Sequence, residues 1–446
     1  MKKKIIIITI LIIVVLLGGI AYAYFATDLF KTDKEMFFSY ITEEKLETEF
    51  NSEKLIEYYE KQETTPYESD GKISIDTTGT EELEGMNGTT ITFEGKTNNS
   101  QKAFEQKATL DLAQGYSVPV NIKRDGETFG IQADILGEDK YIAIRNEDLK
   151  ELVERFGIDT EYIPEKIEFN TFTKDELKQL VEKYYQFLHE ELTDDMFTRE
   201  KKDNQTIIKL NIPMENFVEI FSELIKTIRE DEIITSKFPD DFKESLEDLE
   251  QNLQEQIEEE SYQKENSFEV AVYIAKGKTE KIEINLLKDD EEYMKMVAEF
   301  EKDTISIEGY KEEDIAFEQN ISIQMDADDL TYSINTTSYD STGEEEAKID
   351  IELTYKNLMQ LDNVQEEFNI DMTQKNEATY PNYYYYYNTN EPEESTINIQ
   401  YSNQKTFSQD LELNAMDENN AIIINDATDE ELQNLVYSIY QSLDLM

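Results

Sequence analysis

The chain has 446 residues, with 100 Asp and Glu against 42 Lys and Arg, for a formal net charge of −58 at pH 7. Such a field repels polyanions, so nucleic-acid binding is excluded as a main role. Zero Cys excludes disulfides, thiolate metal sites and Cys nucleophiles, one His excludes multi-His zinc sites, and zero Trp removes the usual sugar-stacking residue.

Residues 5–25 form an uncharged apolar run behind Lys2, Lys3 and Lys4. A helix of this length matches the hydrocarbon thickness of a bilayer, and the basic flank of residues 1–4 stays cytoplasmic. The expectation is a transmembrane signal anchor, with the lipid bilayer as partner and the rest of the chain extracytoplasmic. The alternative is a cleaved signal, with Ala21-Tyr22-Ala23 as the small-x-small site and secretion after Ala23.

Residues 26–68 read as a juxtamembrane segment of one or two short amphipathic helices, with Phe37, Phe38, Leu55 and Tyr58 among its apolar positions and Asn51 or Ser52 as the second N-cap. From Gly71 the period changes to two. Strands are expected at Lys72–Asp76, Thr90–Glu94, Ala103–Leu112, Val118–Ile122, Phe129–Ile135 and Tyr141–Ile144, with Asp125-Gly126 as the strongest hairpin signal. Helices follow from Asn146 to Phe156, and from Thr173, where Glu176 completes a capping box, to Leu192. This gives a first sheet-plus-helix unit over 71–192.

Residues 193–266 form a helical connecting block. Within it lie a strand at Ile207–Ile212, a helix behind Pro213 and an acidic helix over Asp240–Glu260. A second sheet-plus-helix unit spans 267–446. Its strands fall at Phe268–Ile274, Lys281–Leu287, Ile315–Met325, Tyr332–Thr337, Ala347–Tyr355, Phe368–Thr373, Thr396–Tyr401, Thr406–Leu413 and Ala421–Ile424. Thr428 and Glu431 then make a capping box for a last helix. The fold class expected is α+β: antiparallel sheets, as a meander or as two curved sheets, with packed amphipathic helices after one transmembrane helix. Similar helix starts at Glu147-Asp148-Leu149, Asp175-Glu176-Leu177 and Glu430-Glu431-Leu432 leave an internal duplication open.

The Lys-flanked anchor, Lys31-Thr32-Asp33-Lys34-Glu35-Met36-Phe37-Phe38 and Tyr141-Ile142-Ala143-Ile144-Arg145-Asn146-Glu147-Asp148-Leu149 resemble an uncharacterised family of membrane-anchored extracellular proteins of low-GC Gram-positive bacteria. That resemblance carries no catalytic residues. The strand-then-helix order also resembles lipoprotein-carrier folds, which implies a lipid held between a curved sheet and a helical lid.

Residues for chemistry are few. With 100 acids, no carboxylate pair stands out as a glycosidase site. Asp326-Ala327-Asp328-Asp329 and Asp289-Asp290-Glu291-Glu292 offer loose surface Ca²⁺ binding and lack the twelve-residue loop pattern. His189 has no nucleophile partner and reads as a half-exposed helix residue. Five tyrosines run from Tyr383 to Tyr387. In a strand, Tyr383, Tyr385 and Tyr387 share one face, an aromatic row able to stack on a sugar or peptide.

The expectation is therefore a non-enzymatic binding or interaction protein of the cell envelope, without cofactor. Its partner is an envelope protein, a glycan or a hydrophobic ligand. The alternatives are a lipid-carrier-like half-barrel, with an apolar cavity beneath the helices at Thr173–Leu192 and Pro213–Ile228, and a hydrolase using carboxylates alone.

Overall fold

The computed structural model describes residues 32–41, 52–79, 83, 85–112, 115–136, 140–146, 174–202, 204–238, 240–258, 266–288, 291–311, 314–375, 394–417, 419–428, 430–435 and 437. Helices α1 (Asp33–Tyr40) and α2 (Ser52–Thr64) come first. Strands β1 (Tyr67–Thr78), β2 (Thr89–Asn98), β3 (Ala103–Asp111), β4 (Ser117–Asp125), β5 (Thr128–Ala133) and β6 (Tyr141–Arg145) follow. Helix α3 (Lys174–Glu191) leads to β7 (Phe197–Lys202), β8 (Gln205–Pro213), α4 (Met214–Arg229), α5 (Glu232–Thr235) and α6 (Asp240–Glu258). The remainder is strand: β9 (Ser267–Ala275), β10 (Lys278–Lys288), β11 (Glu291–Phe300), β12 (Thr304–Lys311), β13 (Asp314–Asp326), β14 (Asp329–Tyr339), β15 (Glu345–Lys356), β16 (Asn363–Lys375), β17 (Glu394–Phe407) and β18 (Ala421–Ile423).

The α+β expectation is corrected. Strand outweighs helix, 54% to 27%, and the described ladders are antiparallel apart from β18 on β6. The excess comes from pairing that apolar alternation does not signal. Polar flanks lengthen most strands, β7 and β11 arise from charged stretches, and the strand expected at Thr396–Tyr401 runs on to Phe407 as β17, while Ser408–Leu413 of the strand expected at Thr406–Leu413 is not strand. A backbone ladder needs only N–H and C=O groups, whatever the side chains.

The transmembrane helix, the signal anchor and the single-pass localisation are also corrected. No helix among the described residues is long and apolar enough to cross a membrane. Even α4, which buries the most, carries Glu215, Glu219, Glu223, Lys226 and Arg229. The run at 5–25 lies outside the described residues, as do the helix expected at 147–156 and the tyrosines at 383–387.

The chain divides into two compact units. The first takes in the described residues of Met1–Glu49, Glu168–Asn320 and Tyr339–Glu344. Its ladder runs β7-β8-β9-β10-β11-β12. The β9–β10 hairpin turns at Lys276-Gly277, both in the left-handed region at φ 52° and 78°. Helix α1 is capped by Thr32 and Glu35 in a reciprocal box and buries Met36, Phe37, Phe38 and Tyr40 among Ile208, Leu210, Val270 and Val272. Helices α4 and α6 form a second apolar layer through Phe221, Leu224, Ile225, Leu246 and Leu253. Tyr185, Leu188 and Phe217 pack against the first layer and Tyr184 and Phe187 against the second, and a pocket beside α4 has a mixed lining that includes Glu191, Met196, Asn211, Pro213, Ile220 and Glu223.

The second unit takes in the described residues of Phe50–Ile167, Ile321–Ser338 and Glu345–Met446. Its ladder runs β15-β16-β17-β1-β2-β3-β4-β5-β6-β18. Helix α2 packs on one end, where Tyr58 and Leu55 meet Leu353, Tyr355, Leu358, Val364 and Phe407. The last helix starts as expected, with the Thr428 amide donating to Glu431 Oε2 at 2.8 Å and the Glu431 amide to Thr428 Oγ1 at 3.3 Å.

Candidate functional site

Directly opposed residues of antiparallel strands share a face, so the registers of the second unit can be read as rows across the sheet. One row is Leu353, Phe368, Tyr401, Ile73, Ile91, Leu110 and Val118. The next, on one side, is Ile351, Ile370, Ile399, Ile75 and Thr89, and beyond it lie Ile349, Met372, Ile397 and Thr77. On the other side is Tyr355, Glu366, Asn403, Gly71, Phe93, Ala108, Val120 and Ala133, and then Val364, Lys405, Ser69, Gly95, Gln106, Ile122, Ile131 and Ile142. The alternate residues, among them Asp70, Lys72, Glu94, Lys107, Asp350 and Asp371, make the opposite face polar.

Among the described residues, helix α2 covers this apolar face at one end. Tyr355 and Val364 are buried under α2. From β1 to β6, Ala133 is the one apolar residue of these rows that is buried, and Ile122 and Ile131, a cross-strand pair, are 36% and 43% exposed. A fully paired sheet with a greasy, half-bare face is unusual for a core, because completing the burial of each Ile or Phe would add part of the roughly 1.5–3 kcal/mol that full burial gives.

Under α2 the face ends in charge. Lys405 Nζ donates to Glu366 Oε1 at 2.9 Å and to Gln62 Oε1 at 2.8 Å. It also lies 5.8 Å from the Tyr58 ring centroid and 5.4 Å from that of Tyr67. Tyr58 Oη donates to Glu366 Oε1 at 2.8 Å and Tyr401 Oη to Glu366 Oε2 at 3.2 Å. Burial and then the Glu366 carboxylate push both phenols well above the ordinary tyrosine range, so they stay protonated donors. Two buried atoms of the cluster have no partner, Asn403 Oδ1 and Gln62 Nε2. The arrangement can hold a hydrogen-bonding group at the end of an apolar track. It offers no nucleophile with a base.

The sequence-derived candidates lie elsewhere. Tyr383, Tyr385 and Tyr387 are outside the described residues, as are Asp289 and Asp290. Asp328 and Asp329 hold the turn after β15, accepting from Gln360 Nε2 and the Asn357 amide at 2.9 Å each. No three acids or His converge as metal ligands among the described residues. His189 is half-buried, its ring 5.6 Å from Phe38 and 5.9 Å from Tyr185. The residues that sequence reasoning missed, Glu366 and Lys405, did leave a signal. Each stands in phase with the apolar residues of its strand, Val364-x-Glu366-x-Phe368 and Asn403-x-Lys405-x-Phe407.

No family model matches the chain, and no characterised protein matches it in sequence. Among solved structures, a mutant of the vaccine antigen transferrin binding protein B from Haemophilus parasuis Hp5 is similar at 9% identity and TM-score 0.12, over 77% of this chain and 76% of that one. Intact Ap-TbpB gives 9% and 0.12 over 77% of each. OccK2 (OpdF) of Pseudomonas aeruginosa gives 4% and 0.14 over 77% and 97%. These TM-scores lie far below the level that shows a shared fold, so the functional reading rests on the residues alone.

Proposed function

We propose that the chain is a non-enzymatic binding protein, and that the apolar face of its second unit receives an elongated hydrophobic ligand. One observation carries this: the rows through Ile73 and Ile75 bear no charged residue from β15 to β4, and from β1 onwards their apolar members, Ile73, Ile75, Ile91, Leu110 and Val118, stay partly exposed. From β17 to β6 the face is roughly 30 Å wide at the usual strand spacing. An alkyl chain laid across it gains about 0.8 kcal/mol per buried methylene, enough to offset the entropy of ordering it. The ladder satisfies the backbone on both sides of the track, so side chains, most of them apolar in the central rows, meet the ligand.

The test is a titration of the full chain with a fluorescent acyl-chain probe. Saturable binding at one probe per chain, competed by unlabelled alkyl amphiphiles, is expected. Signal that rises without saturation, or no signal, would overturn the proposal.

A further inference from the structure

Resting on that reading, we infer that the buried cluster under α2 is a head-group site, and that it selects an uncharged hydroxyl-bearing amphiphile over an anionic or cationic one. The charges of the cluster are already spent on each other. Glu366 accepts from Lys405, Tyr58 and Tyr401, and Lys405 donates to Glu366 and Gln62 with two rings beside it. A carboxylate or phosphate arriving here finds no spare cation and meets Glu366. An ammonium meets Lys405.

What the cluster still offers is neutral. Asn403 is 4% exposed and its Oδ1 lacks a donor; Gln62 is 8% exposed and its Nε2 lacks an acceptor. The bond from Lys405 to Gln62 Oε1 fixes which end of that amide is which. One acceptor and one amide donor match a hydroxyl, which gives one hydrogen and takes one. Unmet buried polar atoms are uncommon in native proteins, and two in one cluster at the end of a bare apolar track mark a place built for a guest. Ser69 and Gly95, beside Lys405 in its row, leave the approach from the open face low.

Competition against the bound acyl-chain probe tests this, using a monoacylglycerol, a fatty acid and an alkyl ammonium of equal chain length. The monoacylglycerol should compete best. Asn403→Leu and Gln62→Leu should each weaken it about tenfold relative to the fatty acid and the alkyl ammonium, the worth of one hydrogen bond in a closed site. Equal competition by all three, or variants that weaken none of them selectively, would overturn the head-group site and leave the apolar track standing. Failure of the probe itself to bind would remove both. An unchanged far-UV circular dichroism spectrum in each variant shows that it folds.

Discussion

The ring of Phe93 occupies the space that a side chain on Gly71 would need: a Cβ there would stand 2.4 Å from Phe93 Cζ and 2.5 Å from the backbone oxygen of Ser402. Gly71 pairs with Phe93 across β1 and β2, and Phe93 lies near-parallel to Tyr401 of β17 at 6.2 Å. A glycine that weakens a strand is thus covered by its neighbour's ring. Gly71→Ala should lower stability by about 1–3 kcal/mol, because the Ser402 carbonyl is held in the ladder and cannot retreat. Urea unfolding checks it; an unchanged midpoint would show that Phe93 simply rotates away.

Both partners of the Glu366–Lys405 pair have side chains only 11% exposed. Breaking such a pair strands a charge, at a cost of about 3–5 kcal/mol, whereas replacing both with apolar residues of similar size is often close to neutral. Glu366→Leu and Lys405→Met should therefore each destabilise strongly, and the double variant should recover most of the loss. A double-mutant cycle in urea with additive losses would contradict the coupling.

Much of the fold was legible. The hairpin at Asp125-Gly126, the capping box at Thr428 and the helix behind Pro213 stand where residue chemistry placed them, because turns and caps are local. The balance of strand over helix was not. Charged stretches such as Glu291–Phe300 pair because neighbouring strands offer a free edge, which no single stretch reveals. The binding face was hidden for the same reason: each strand shows two or three alternating apolar residues, and only the register joins Leu353 to Val118 in one row.

Asp231 ties α3 to the start of α5. Its carboxylate takes Lys183 Nζ at 2.6 Å, Tyr184 Oη at 3.1 Å and the Ile233 amide at 2.9 Å. Burial works against its charge, but Lys183 and the capped amides outweigh that and hold it below its usual 3.8. The unfolded chain then binds the proton more readily. The stabilisation is present above 3.8 and is lost as pH falls through the lower folded value. Asp231→Ala should cost about 1–2 kcal/mol at neutral pH and flatten this acid limb in thermal melts.

His189 shifts the same way for another cause. Burial against Phe38 and Tyr185, then Lys34, lowers it from 6.5, against the pull of Glu35, Asp194 and Glu190. The native state favours the neutral ring, so stability is full above 6.5 and declines as pH drops from there towards the folded value. His189→Gln should remove that decline from urea midpoints measured across this range. A decline of the same size in the variant would place its origin elsewhere.

The most direct measurement is photo-labelling of the full chain with a diazirine-bearing acyl chain, followed by peptide mapping. Labels should gather on the rows through Ile73, Ile91, Leu110, Ile122 and Ile131, and disappear when Ile73 is replaced by Lys but persist when Thr92, on the opposite face, is. Labels spread over both faces, or confined to the first unit, would contradict the account.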